Sequence, residues 1–343
     1  MTALYQQYQA LKAANPKKYA RDLAAEMAIS EAQLAHARVG HDAQQLRNQM
    51  PEILQALEAV GETKSITRNQ YAVHEHLGHY TNLNIGAHAG LVLNPRALDL
   101  RLFVNQWHSA FALKEQSPRG ERHSLQFFDA HGDAVLKVYA TEQSDYAAWD
   151  ALLARFVQPQ ATELSVAPLA ADTSNNAPDA ARIEQEWRAM TDVHQFFHLL
   201  KGHNISRQQA FRAVPDDLAC RVGNHSLRQL LELAKNDGNE IMIFVGNRGC
   251  VQIFTGAIEQ LRPMDNWLNI FNPQFTLHLV EDAIAESWIT RKPTADGLVT
   301  SLELFAADGT QIAQLYGQRS EGQPEQSQWR QQLATLTREG VYA

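Results

Sequence analysis

From residue 3 to residue 60 the apolar positions fall at helical spacing, with Leu23, Met27 and Leu34 set among Ala, Leu, Gln and Glu. Beyond that stretch the period shortens towards two. The second half carries short β-branched and aromatic runs at Glu240–Val245, Cys250–Thr255, Trp267–Phe271, Phe275–Val280, Ser287–Lys292, Leu298–Phe305 and Gln311–Tyr316. Asp296-Gly297 and Asp308-Gly309 separate the last three runs and suit tight hairpin turns. Helices followed by a meander of strands predict an α+β fold. A parallel βαβ sheet would need helices between the strands, and the pattern offers none.

The pattern is interrupted once. Residues 157–182 contain Pro159, Pro168 and Pro178 and no aromatic residue, so they bury too little apolar surface to offset their ordering entropy and read as a spacer. They divide the chain into an N-terminal repeat, 1–156, and a C-terminal repeat, 183–343. The halves echo each other: Arg38-Val39-Gly40 recurs as Arg221-Val222-Gly223, an offset of 183. Ser124-Leu125-Gln126-Phe127-Phe128 matches Ser301-Leu302-Glu303-Leu304-Phe305 at an offset of 177, which also aligns Gly61 with Gly238, Gly132 with Gly309 and Tyr139 with Tyr316. Several matches in one order at nearly one offset predict a tandem structural duplication, each half being helices followed by a large antiparallel sheet.

Composition narrows the function classes. The chain has 343 residues, 45% hydrophobic and 20% charged, with a formal net charge of -8, a poor match to a general nucleic-acid coat protein. Residues 1–20 lack an apolar core of the secretory type, and no run approaches the roughly 20 apolar residues of a membrane span, which together predict a cytoplasmic protein. Cys220 and Cys250 are the only cysteines and form no metal or redox spacing. No phosphate-binding loop, dinucleotide fingerprint or nucleophile elbow is present.

Two motifs have a functional reading beside a structural one. His74-Glu75-His76-Leu77-Gly78-His79 fails the HExxH pattern, because position 78 is Gly, and reads better as a partly exposed strand with polar residues. Residues 20–40 have the rhythm of a helix-turn-helix with Ile29 and Ser30 at the turn. Their polar residues, Glu31, Gln33 and Arg38, follow Asp22 and Glu26, a weak set for reading bases, so a packed helical pair is the better expectation.

The histidines carry more chemistry. Thr191-Asp192 reads as a cap and acidic first turn, which predicts a helix starting there with His194, Phe197 and His198 on one face and Val193, Phe196 and Leu200 towards the core. Imidazole beside a phenyl ring suits either axial ligation of haem or a hydrogen-bonded core histidine. Neither His194 nor Arg101 has a counterpart in the other repeat, as expected where one copy has specialised. Alternation places Asp99, Arg101 and Phe103 on one strand face, fit for a charged aromatic ligand or for a plain Asp99–Arg101 salt bridge. Thr310, Ile312, Gln314 and Tyr316 alternate likewise, with Arg319 beyond, and Trp288, Thr290 and Lys292 share a face. Lys292, Tyr316 and Arg319 together suit two carboxylates, or simply form a polar sheet face.

Several longer blocks are specific: Asn15-Pro16-Lys17-Lys18-Tyr19-Ala20-Arg21-Asp22-Leu23, residues 94–107, residues 187–197, EIMIFVGNRG over 240–249 and ESWITRKP over 286–293. Over its whole length the chain resembles the cytoplasmic haemin-transport, or haemin-degrading factor, proteins of Gram-negative bacteria (the HemS/HmuS/ChuS type). The resemblance implies two repeated α+β halves and one haem b, iron protoporphyrin IX, on the C-terminal side. It implies His194 as the axial iron ligand, with His198 a competitor one turn away, and Arg101 as a distal residue with a catalytic role. Phe103 and Phe197 would flank the ring, and Arg207, Lys292, Gln314, Tyr316 and Arg319 would line its polar end.

The activity so implied is oxidative haem degradation with iron release, using an external reductant such as an NAD(P)H-linked donor or an electron-donating reductase. The alternatives are a haem chaperone or store and, least favoured, haem-responsive DNA binding. The resemblance also implies an inner-membrane haem ABC transporter as donor, and a monomer or homodimer.

Overall fold

The computed structural model of the chain describes residues 3–86, 89–117, 120–170, 177–320 and 322–336. In the N-terminal half the elements are α1 (Ala3–Ala14), α2 (Ala20–Glu26), α3 (Glu31–Ala37), β1 (Ala43–Gln45), α4 (Met50–Val60), β2 (Gly61–Arg68), β3 (Ala72–Gly78), β4 (Leu83–Ile85), β5 (Gly90–Leu93), β6 (Asp99–Leu102), β7 (Trp107–Ser117), β8 (Gly120–Asp129), β9 (Ala134–Ser144) and α5 (Tyr146–Phe156). The C-terminal half continues with α6 (Ala180–Arg188), α7 (Gln195–His203), α8 (Arg207–Ala213), β10 (Ala219–Val222), α9 (Ser226–Asp237), β11 (Ile241–Gly246), β12 (Cys250–Gly256), β13 (Leu261–Met264) and β14 (Trp267–Phe271). It ends with β15 (Phe275–Val280), β16 (Ile284–Thr294), β17 (Gly297–Ala306), β18 (Gln311–Gly317) and α10 (Ser327–Ala334). No helix among the described residues is long and apolar enough to cross a membrane.

The chain forms two compact units. The first holds residues 1–68 and 75–169 with 246–252; the second holds 69–74, 170–245 and 253–343. Each builds a large antiparallel sheet in the same order. In the first unit β1 pairs β7, which continues through β8 and β9 to β2. In the second, β10 pairs β16, which continues through β17 and β18 to β11.

The duplication extends to irregularities. The β7–β8 register shifts between Trp107 and Ser109, and the β16–β17 register between Ile284 and Glu286, an offset of 177. The shifts between Phe127 and Phe128 and between Leu304 and Phe305 repeat that offset. Ser30 and Gln33 form a capping box at α3, as Ser206 and Gln209 do at α8. Bulges and caps are local solutions to chain geometry, so finding them copied in place is strong evidence for one ancestral unit.

Each unit has its own apolar core, around Leu54, Leu57, Leu125, Phe127 and Trp149 in the first and Leu230, Ile243, Leu302, Leu315 and Trp329 in the second. The second also has a helical layer: α6, α7 and α8 bury Ile183, Trp187, Phe196, Leu199 and Phe211 against Trp288 and Phe305 of the sheet. Part of the spacer is tied down, by half-buried Val157 and Leu164 packed on the apolar core and by backbone polar groups. Gln158 N donates to Gln45 O (2.9 Å) and Ala167 N to Ala130 O (2.8 Å). Residues 171–176 of the spacer lie outside the described residues, and α6 already begins at Ala180.

Several expectations are refined. Residues 72–78 do form a strand, but His74 and His76 lie on its buried face and not partly exposed. The 20–40 segment is a packed helical pair, and the side chains that might have read bases are engaged. Gln33 closes the capping box, Glu31 pairs with Lys137, and Arg38, 1% exposed, bonds Asp42 and Glu115. Both cysteines are buried, and burial pushes the Cys250 thiol up to about 12, so it is inert.

Candidate functional site

The helix expected from Thr191 starts at Gln195 instead, because side chains ahead of it take the backbone donors that a helix would use. Asp192 Oδ1 accepts from His194 N (2.7 Å), and Gln195 Oε1 accepts from Thr191 N (2.8 Å). His194 thereby becomes the N-cap of α7. Its imidazole is 90% exposed, and Nδ1 lies 2.7 Å from the same Asp192 oxygen. The hydrogen bond from His194 N is the main cause that holds the Asp192 carboxyl below its usual range, and Arg319 adds a smaller contribution in the same direction. An ionised carboxylate only accepts, so Nδ1 carries the proton and the Nε2 lone pair points away. Nε2 makes no hydrogen bond among the described residues. That is the arrangement a metal-binding imidazole requires.

Phe197 is 65% exposed and His198 is also exposed, with their rings 5.8 Å apart. His198 has no hydrogen-bond partner among the described residues, which separates it from His194. Behind them, Phe196 and Leu199 are buried as the helical layer requires, while Val193 and Leu200 are half-buried.

The polar sheet face is organised by a residue that the sequence reading passed over. Glu303, wholly buried on β17, accepts both arms of Arg207 (2.9 and 2.9 Å), Lys292 Nζ (2.9 Å) and Gln311 Nε2 (2.8 Å). Burial alone would raise its pKa, but the two cations hold the carboxyl far below the usual range. Lys292 also donates to Thr290 Oγ1 (2.7 Å) and sits 4.8 Å from the Phe196 ring centroid. Burial lowers its pKa to about 8, against the pull of Glu303. Lys292 and Arg207 are thus both engaged by Glu303. Two cations about one carboxylate still leave a single positive charge under α7 and α8.

Gln311 links that cluster outward. Gln314 Nε2 donates to Gln311 Oε1 (2.7 Å), and Tyr316 OH donates to Gln314 Oε1 (2.9 Å). Burial is the main cause that pushes the Tyr316 phenol above its usual range. Strict alternation of Thr310, Ile312, Gln314 and Tyr316 fails at the bulge, where Leu304 pairs Ala313 and Phe305 pairs Gln311. Ile312 consequently turns into the core, and Gln311 joins the polar face. Arg319 lies 3.9 Å from Asp296. The segment bearing Asp296 is tied to the His194 loop by a bond from Ala295 N to Thr191 O (2.9 Å). His194, Phe197, Arg207, Lys292, Gln314, Tyr316 and Arg319 all lie in the second unit, and hydrogen bonds through Glu303 and Gln311 link Arg207, Lys292, Gln314 and Tyr316.

Arg101 and Phe103 belong to the first unit. Arg101 donates to Asp99, so the salt bridge of the plainer reading is present, and also reaches Leu100 O (3.3 Å). Asp99 is 3% exposed, and burial raises its carboxyl above the ordinary range in spite of Arg101. Phe103 lies just past the end of β6 and is 37% exposed. Among the described residues no group of three or more His, Cys, Asp or Glu is placed to hold a metal ion.

A family model for a haemin-degrading HemS/ChuX domain matches twice, over residues 28–156 and 204–336. A haemin transport protein HmuS from Yersinia pestis is 64% identical over 342 residues, covering 99% of each chain. Among solved structures, the haem-degrading enzyme ChuS of Escherichia coli O157:H7 is 63% identical with a TM-score of 0.94, covering 97% of this chain and 98% of that one. PhuS, a haem-binding protein from Pseudomonas aeruginosa solved with haem, is 41% identical with a TM-score of 0.93 and 98% coverage of both.

Proposed function

This chain belongs to the haemin-degrading HemS/ChuX family, and on that premise we propose that it takes haem as substrate, accepting imported haem and opening the ring oxidatively to release iron. The observation that carries the reading is the exposed His194 imidazole, its Nδ1 held by Asp192 and its Nε2 open. Neutral imidazole supplies one axial bond to haem iron and leaves the opposite face of the ring for chemistry. Arg101, in the first unit, is the residue assigned to that chemistry, where a guanidinium stabilises developing negative charge.

Phe103 in the first unit and Phe197 in the second each offer an exposed ring for stacking on a macrocycle. Arg207 and Lys292 contribute the surplus positive charge of the Glu303 cluster, a field that suits the two propionates, while Gln314, Tyr316 and Arg319 line the polar end. Haem supplies the reactive chemistry and the protein orients it. The electrons come from an external reductant, since the sequence carries no flavin or nicotinamide fingerprint. In this reading the protein works in the cytoplasm and receives haem from an inner-membrane transporter. DNA binding draws no support from α3 and its C-cap, whose Glu31, Gln33 and Arg38 side chains are engaged.

A second reading, a haem chaperone, is favoured by the likeness to PhuS, which is described as haem-binding. Reconstitution with haemin under anaerobic conditions, followed by reductant and oxygen, separates the two. Degradation predicts loss of the Soret band with a defined linear tetrapyrrole and free iron. Loss that catalase abolishes would mark peroxide damage to a carried cargo.

A further inference from the structure

One carboxylate oxygen serves two donors of the same residue. Asp192 Oδ1 accepts the backbone N–H of His194 and lies at hydrogen-bond distance from its ring Nδ1, at 2.7 Å in both cases. The backbone bond fixes where that oxygen is; the ring bond then fixes the rotation of the imidazole. The loop carrying Asp192 is itself braced. Gln195 Oε1 accepts from both Thr191 N (2.8 Å) and Asp192 N (3.3 Å), and Thr191 O accepts from Ala295 N (2.9 Å).

His198, three residues into the helix, lacks any such partner among the described residues. His203, which has one in Glu186 at 3.0 Å, is turned inward with a side chain only 10% exposed. On α7 and its cap, only His194 combines an accessible imidazole with a carboxylate behind it.

We propose that Asp192 is a positioning residue for His194, fixing Nε2 as the iron-binding atom and giving the imidazole anionic character that favours ferric over ferrous iron. A carboxylate that accepts the distant ring proton raises the basicity of the ligating nitrogen, and a more basic ligand stabilises the higher oxidation state. Functionally, that lowers the tendency of bound haem to be reduced until a sufficiently strong external donor arrives. This deepens the reading given above and rests on His194 being the iron ligand.

The test uses the full-length protein loaded with haemin. Asp192→Asn keeps an oxygen for the backbone and ring N–H groups but removes the charge. It should still bind one equivalent of haemin with an unchanged melting temperature, since Asp192 is exposed. Its preference for ferric iron should fall several-fold, read as a more positive midpoint potential, and the iron–histidine stretch of the ferrous form should move to lower frequency. Asp192→Ala, which also frees the ring, should add a weaker haemin affinity, about 10-fold or more. His194→Ala is the control. If it changes the haem spectrum while Asp192→Asn leaves potential and stretch at wild-type values, the role given to Asp192 is overturned. If His194→Ala leaves the spectrum unchanged, the assignment of the ligand itself fails, and this inference with it.

Discussion

Arg101 donates its guanidinium to the carboxylate of Asp99, two residues back on the same strand, and Asp99 is 3% exposed. The pair is lopsided. Asp99 depends on Arg101 for charge compensation, whereas Arg101 is part-exposed and can be drawn outward. Arg101→Ala should therefore retain haemin binding but slow ring opening. It should also destabilise the protein at neutral pH, by about 3 kcal/mol or less, because a buried carboxyl loses its counter-charge. Asp99→Asn in the same background should recover most of that stability in a urea titration. A rate of ring opening equal to wild type would remove Arg101 from the mechanism.

Glu303 should be the costliest single charge to remove in the second unit. Glu303→Ala leaves buried Lys292 and half-buried Arg207 without their shared counter-charge, an expected loss of about 3–5 kcal/mol. Adding Lys292→Met should restore a good part of it, since one uncompensated cation is then removed. Additive losses in the double variant would mean that the two residues are not coupled.

Lys292 has a pH signature. Its folded pKa, about 8, lies below the ordinary 10.5, so between those values the unfolded chain binds more protons than the folded one. Stability then rises with pH across that window. Below it, the protonated lysine contributes a penalty of up to about 3 kcal/mol; above it, Arg207 and Glu303 remain as a balanced pair. Wild type compared with Lys292→Met by chemical denaturation at pH 7, 9 and 10 should show this rise in wild type alone. A flat difference between the two proteins would contradict it.

Phe197, 65% exposed on α7, has little to do in the folded chain alone. Phe197→Ala should leave the melting temperature within a degree or two and weaken haemin binding by roughly 2- to 10-fold, the worth of one aromatic stacking contact. Fluorescence quenching by haemin measures this directly. An unaltered affinity would take Phe197 out of the pocket.

Much of this architecture was legible in the sequence because it rests on short-range pattern. The seven strand runs of the second half, the helices before residue 60 and the duplicated order all follow from side-chain period, and the order recurs in both sheets. What escaped was decided by individual hydrogen bonds. The acidic cap at Asp192 belongs to a turn ahead of α7, because its oxygen binds His194 N and not the first turn of a helix. Ile312 leaves the polar face because one bulge changes the strand's phase, which alternation cannot foresee. Glu303 did leave a signal, a lone acid within the apolar run Ser301-Leu302-Glu303-Leu304-Phe305. A charge in a buried strand needs partners, and looking for them leads to Lys292 and Arg207.

The central claim is that His194 holds haem iron, and a haemin titration tests it most directly. The account predicts that wild-type protein develops a Soret band that saturates at one equivalent, and that His194→Ala loses or displaces it under the same conditions. Wild-type protein that fails to saturate at one equivalent, or a His194→Ala spectrum superimposable on wild type, would contradict the account.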